Sequence, residues 1–168
     1  MKKNESPWIL SERKGWWILN LFPPLLFSRI RLVKIEPGFR ACTVRIARSL
    51  LTRNLHGTTF GGTIFSAADP FYAVMYWQVL ARRGYRVQAW LQRASIDYHR
   101  PAATALTLEF HLSDDDVAEA VAALDGAGRH RKRHVIEARD REGRVCATVE
   151  TEVYLRLPRA AQREVSAF

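Results

Sequence analysis

Metal-ligand spacing is missing from this chain. Its two cysteines, Cys42 and Cys146, stand far apart, each inside a strand-like run. A lone cysteine among alternating apolar residues packs as a small hydrophobe, so two buried free thiols are expected and no metal site. The sequence also has no nucleotide-phosphate loop and no serine-nucleophile motif. No apolar run reaches the length of about 20 residues that a membrane-spanning helix needs. The longest, within Trp8–Phe27, is broken by Pro23-Pro24 and carries no small-residue cleavage pattern. A secretory signal is therefore not expected, and a cytoplasmic location is the default expectation. There is no internal repeat, and no linker polar enough to divide the chain.

A hydrophobic fraction of 48% and an aromatic fraction of 11% describe a chain that buries one sizeable core. The net charge of +9 and isoelectric point near 10.1 suggest a nucleic-acid partner at first sight. The distribution weakens that reading. The cations concentrate at the two ends, whereas the middle is acidic, and many arginines alternate with apolar residues, as in Arg29-Ile30-Arg31-Leu32. Such alternation describes a solvated sheet face or rim, and it also suits a ligand that carries phosphates, such as a coenzyme A thioester.

The pattern predicts three stretches: an N-terminal helical segment (1–27), a single domain (28–158) and a C-terminal tail (159–168). Trp8–Phe27 reads as a helix lying across the domain. Lys2, Lys3, Arg13 and Lys14 beside its aromatics leave interfacial membrane contact open, without spanning. Strands are expected at Ser28–Glu36, Phe39–Arg48, Arg86–Tyr98, Thr104–Leu112, Lys132–Asp140 and Arg144–Leu157. Thr63–Arg82 is apolar nearly all round, which predicts a buried helix. Asp114–Leu124 follows a capping-box-like Ser113-x-x-Asp116 and reads as a short helix stopped by Gly126 and Gly128. An antiparallel sheet wrapped around one buried helix fits this α+β order, and an exposed sheet edge predicts pairing of subunits.

The richest segment is Asn54–Pro70, NLHGTTFGGTIFSAADP. Two glycines directly precede the long apolar helix, and an aspartate follows eight residues after the first of them. Bare backbone amides at a helix start, with a carboxylate nearby, suit attack on a carbonyl. Two bland readings stand beside this one. Gly61-Gly62 can serve a tight loop alone, and Asp69 can cap a helix that begins at Pro70.

Asn54, Gly57-Thr58, Gly61-Gly62 and Asp69 resemble, in identity and spacing, the signature of the hotdog-fold thioesterase superfamily. Ile96–Ala102 resembles the strand ending in Arg/Ser-Pro-Ala found there. The likeness is closer to a thioesterase-like branch that writes Phe-Gly-Gly and Asp-Pro-Phe-Tyr, here Phe60-Gly61-Gly62 and Asp69-Pro70-Phe71-Tyr72. That branch shares the Asn-Leu-Phe-Pro-Pro segment, so the likeness covers most of residues 16–125.

The resemblance implies a hotdog fold, a homodimer or homotetramer, and hydrolysis of an acyl-CoA without metal or further cofactor. It implies Asp69, contributed across a dimer interface, as general base or nucleophile, Gly61 and Gly62 as oxyanion donors, and Asn54 as the residue orienting water or loop. Thr58, Phe60, Trp90, Tyr98 and Arg100 would contact the substrate. Phe60 stands where many members carry His. A non-catalytic protein binding acyl-CoA or a lipid-like ligand is the alternative. Trp77, Trp90 and Tyr98 would be natural lining for an acyl group, yet large aromatics at such spacing are more often core. The basic run Arg129, Arg131, Lys132 and Arg133 reads as a solvated loop or a coenzyme A phosphate contact, and His56 and His99 as loop histidines.

Overall fold

A computed structural model describes residues 9–158. The tail at 159–168, together with Lys2, Lys3 and Trp8, lies outside the described residues. Six strands form one antiparallel sheet in the order β1-β2-β4-β5-β6-β3: β1 Ile30–Ile35, β2 Ala41–Ile46, β3 Gln88–Tyr98, β4 Leu106–His111, β5 Arg129–Arg139 and β6 Val145–Arg156. The alternation seen in the sequence is the reason. Leu106, Leu108 and Phe110 of β4 are buried, as are Val149, Val153 and Leu155 of β6. These side chains press on a central helical rod made of α3 (Gly61–Ala68) and α4 (Pro70–Arg82). Phe71 and Tyr72 of α4 meet Phe110 with ring centroids 5.1 and 5.3 Å apart. Both cysteines are free and buried as expected, and burial pushes the Cys42 thiol up to about 12.

Several details depart from the sequence reading. The expected single helix at Trp8–Phe27 is two among the described residues, α1 (Glu12–Leu21) and α2 (Pro23–Phe27), because Phe22 adopts extended backbone before Pro23. The capping box holds, with Ser113 and Asp116 exchanging side-chain-to-backbone hydrogen bonds of 3.0 Å. However, α5 runs Asp114–Ala127, straight through Gly126, and ends only at the left-handed Gly128. The basic run is not a loop. It opens β5, where Lys132 pairs with Asp116 and Glu119, and Arg133 with Glu152.

The helix α1 is clamped to the domain by a polar knot. Gly15 has no side chain, and a Cβ there would lie 2.6 Å from the fully buried Phe39 ring. The Arg82 guanidinium covers that ring at 4.8 Å and donates to the Leu10 carbonyl at 2.6 Å. Glu12 accepts from the Gly38 amide at 2.8 Å. At the far end of α1 the Asn20 amide donates to the Leu32 carbonyl and accepts from the Leu32 N–H, both at 3.0 Å. One side chain thus imitates a neighbouring strand and occupies the edge of β1, which blunts it against further pairing. No helix among the described residues is long and apolar enough to cross a membrane.

A polar cluster sits inside the core. His134 of β5 stacks on Tyr72 at 3.9 Å, and its Nε2 lies 3.1 Å from the Tyr76 hydroxyl. Desolvation pushes His134 down to about 4 from 6.5. Between those values the unfolded chain binds a proton that the folded chain refuses, so stability rises with pH across that window and falls as pH drops through it. Urea unfolding should lose on the order of 3 kcal/mol between pH 7 and pH 4 through this residue. His134→Phe should start less stable, with Tyr76 unpartnered, but show a flatter profile between pH 6.5 and 4.5. An unchanged slope in that variant would assign the effect elsewhere.

Candidate functional site

The loop before α3 is built from its own backbone. The Asn54 carbonyl accepts from the Gly57 N–H, its backbone N–H donates to the Thr58 carbonyl at 2.8 Å, and its side-chain oxygen accepts from His56 and Thr58 amides. The Asn54 amide nitrogen donates to the Thr58 hydroxyl at 2.9 Å. Gly57 permits this turn with φ +77, a conformation that a side chain would strain. Asn54 and Thr58 therefore spend their polar atoms on shaping the loop. The Thr59 N–H donates to Ala102, and the Phe60 N–H to Thr52, so the loop is pinned on both sides.

Phe60 precedes α3 with no side-chain cap, which leaves the Gly61 and Gly62 amides at the helix start without a side-chain acceptor. Two rings flank them. A Cβ on Gly61 would lie 2.5 Å from the Tyr98 hydroxyl, and one on Gly62 would lie 2.5 Å from Phe60 Cε1. Only glycine admits both rings this close. Both rings are more than half exposed, and they stand beside the two N–H groups at the helix start.

Asp69 lies between α3 and α4. Pro70 has no N–H and interrupts the helical ladder, yet Asp69 keeps right-handed helical angles of φ −64 and ψ −63, and its side chain makes no capping hydrogen bond. The capping alternative thus does not describe this geometry: a cap requires extended backbone and an acceptor oxygen turned onto the next amides. Asp69 is exposed as a residue, yet partial desolvation raises its pKa from the ordinary aspartate value. Sequence periodicity predicts this helix as buried all round. In the single chain it is open along Phe65, Ser66 and Asp69, beside the unpaired edge of β3.

Eight helical residues separate Gly61 from Asp69, roughly 12 Å along the axis. A carbonyl held at the Gly61 amide is out of reach of Asp69 from the same chain. Tyr98 and the exposed Arg100 lie at the glycine end, where the Arg100 N–H donates to Cys146. Trp90 does not join them. It sits eight residues up β3 from Tyr98, roughly 26 Å away. There it stacks on Tyr154 at 6.2 Å beneath the Arg156 guanidinium. That ladder of aromatic and arginine side chains, extended by Arg131 over Tyr154, escapes sequence reading because it depends on cross-strand register. His99 bonds the Thr148 hydroxyl at 2.8 Å, as a satisfied loop histidine does. No cluster of His, Cys, Asp or Glu suited to a metal occurs among the described residues.

An antiparallel sheet curled around an axial helix, with a glycine-opened helix start, defines the hotdog class. The family model described as domain of unknown function (DUF4442) matches residues 14–155, and the chain belongs to that family. Among curated proteins none matches it. Solved structures similar to it include PA5026 of Pseudomonas aeruginosa, described as a probable thioesterase, at 17% identity and TM-score 0.77 over 89% of this chain and 97% of that one. The thioesterase HI1161 of Haemophilus influenzae is similar at 10% identity and TM-score 0.65, covering 88% and 92%. The PaaI protein of the E. coli phenylacetic acid degradation operon is similar at 16% identity and TM-score 0.60, covering 87% and 92%. These likenesses establish the hotdog fold.

The Tyr98–Gly61 approach has a measurable consequence. Gly61→Ala should cost about 1 kcal/mol more in the native background than in a Tyr98→Ala background, where the methyl group has room. Urea denaturation of the four chains gives the coupling, and a value of zero would mean that the ring does not rest on the glycine.

Proposed function

We propose that this protein is a thioesterase-type hydrolase acting on an acyl-CoA in a site shared by two chains. The observation that carries the reading is the pair of half-sites on one rod: amides without side-chain acceptors at Gly61 and Gly62, and an uncapped carboxylate at Asp69, too far apart to serve one carbonyl alone. A second chain laid against the open helix stripe and the free β3 edge would bring its Asp69 to the first chain's glycines. The expected homodimer thereby acquires a chemical purpose.

The chemistry then follows from the parts. The Gly61 and Gly62 N–H groups hold the thioester oxygen and the negative charge that develops on it, a role worth about 3 kcal/mol per donor. Asp69 takes a proton from a water, whose oxygen bonds to the carbonyl carbon. Collapse of the tetrahedral intermediate breaks the carbon–sulfur bond, and the proton on Asp69 passes to the departing thiolate. The products are a carboxylic acid and free coenzyme A. A carboxylate with a raised pKa is a stronger base than an ordinary aspartate, which suits this step. Phe60 and Tyr98 would flank the acyl group at the helix start, and Arg100 supplies a cation at the same end for the coenzyme phosphates.

Thiol release from a panel of short to long acyl-CoAs tests the reading. Asp69→Asn should lower kcat at least tenfold, within the range for losing a general base, with KM little changed. The acid limb of kcat/KM in the native protein should lie above the ordinary aspartate pKa. Turnover equal to native in Asp69→Asn would overturn the mechanism, and tight acyl-CoA binding without turnover in the native chain would favour a binding protein.

A further inference from the structure

A concavity of about 780 Å³ opens between α1–α2 and the outer face of β1–β2. Its walls differ sharply in character. Trp17, Leu21 and Leu26 from the helices and Val33 from β1 give an apolar wall, with exposures between 39% and 59%. Arg29, Arg31, Arg45, Arg48 and Arg141 give the other, and no acidic residue lines it. None of these five arginines has an ion-pair partner among the described residues. The nearest acids in sequence are already engaged: Glu36 with Lys34, and Asp140 and Glu142 with Arg144. Five guanidinium groups kept near one another without carboxylates repel, and an anion supplied from outside relieves that repulsion.

The apolar wall continues beyond the concavity. Ile18, Phe22 and Phe27 are 53%, 47% and 72% exposed, and with Trp17 and Leu21 they form the outward side of α1–α2. Arg13 and Lys14 occupy the turn of α1 before them. A monomeric surface seldom spreads this many large apolar groups side by side. Arg29 adds a backbone observation. It holds φ +55, where glycine or asparagine would be less strained, and keeps a long cation at the rim.

We infer that this surface docks on anionic phospholipid bilayers. Charge complementarity selects the occupant: the aromatic and aliphatic side chains of α1–α2 enter the boundary between headgroups and acyl chains, and the arginines meet lipid phosphates. A second copy of this chain, being strongly cationic itself, would bring more arginine to a surface that already has too much. Neither α1 nor α2 is long enough to cross a bilayer, so this surface lies on it.

Co-sedimentation of the full chain with vesicles, in the absence of any acyl-CoA, tests this independently of turnover. Vesicles of phosphatidylcholine mixed with phosphatidylglycerol should carry the protein down, and pure phosphatidylcholine should not. Arg31→Gln and Arg45→Gln should each weaken binding about fivefold at low ionic strength, and added salt should weaken the native chain in the same way. Trp17→Ser and Phe27→Ser should also weaken it, with far-UV circular dichroism unchanged because both positions are exposed. Equal affinity for neutral vesicles, or native binding retained in the arginine variants, would overturn the proposal. So would concentration-dependent self-association that Phe27→Ser abolishes in a chain that binds no vesicles, since the face would then belong to a second copy.

Discussion

A helix that is apolar on nearly every side must be covered on nearly every side, and six strands reach only part of the way around α3–α4. That shortfall governs the rest of the structure. The buried flank of the rod is covered by the sheet, with Phe110 of β4 on Phe71 and Cys42 of β2 against Met75. The flank that remains carries Phe65 and Asp69, and the edge strand β3, which touches α4, has no strand partner on its second side among the described residues. The two edges of the sheet are treated differently. Asn20 closes the β1 edge with a pair of hydrogen bonds from one side chain, whereas β3 presents eleven residues of open ladder. An unpaired edge beside an uncovered helix is where a protein accepts another surface.

In the proposed mechanism the same rod would set the chemistry. Pro70 breaks the ladder without turning the chain, so the helical path continues through Asp69 while the carboxylate escapes the capping role that Asp-Pro sequences usually serve. Its position places it roughly two helical turns from the Gly61 and Gly62 amides. The two proposed half-sites, at fixed separation on one rigid element, would be held more exactly than a pair assembled from loops, as attack on a carbonyl needs. The cost of opening the helix start falls on two glycines, each with an aromatic ring where a Cβ would otherwise be.

Much of this was legible in the sequence. Strand-like patterning located all six strands, Ser113-x-x-Asp116 located α5, and the family resemblance carried by Asn54 to Asp69 pointed to the fold. What stayed hidden depends on partners distant in sequence. Nothing local announces that Asn20 will occupy a strand edge, that His134 will lie between two tyrosines, or that Trp90 will stack on Tyr154 and not join the glycines. Local rules also left Asp69 open between a cap and a free carboxylate, and the backbone angles with the missing capping hydrogen bond exclude the cap. The basic run at Arg129–Arg133 looked like a solvated loop because charge density obscured the alternation, and pairing with β6, with His130 and His134 turned inward, makes it a strand.

The central claim is that the amides and the carboxylate of one working site come from different chains. Mixing two inactive variants tests it directly. Asp69→Asn keeps the glycines, and Gly61→Val keeps the aspartate. After joint unfolding and refolding, mixed dimers would contain one intact site each, and thiol release from acyl-CoA should recover to about a quarter of the native rate by random pairing. A mixture as inactive as its separate components, with mixed dimers demonstrably formed, would contradict the account.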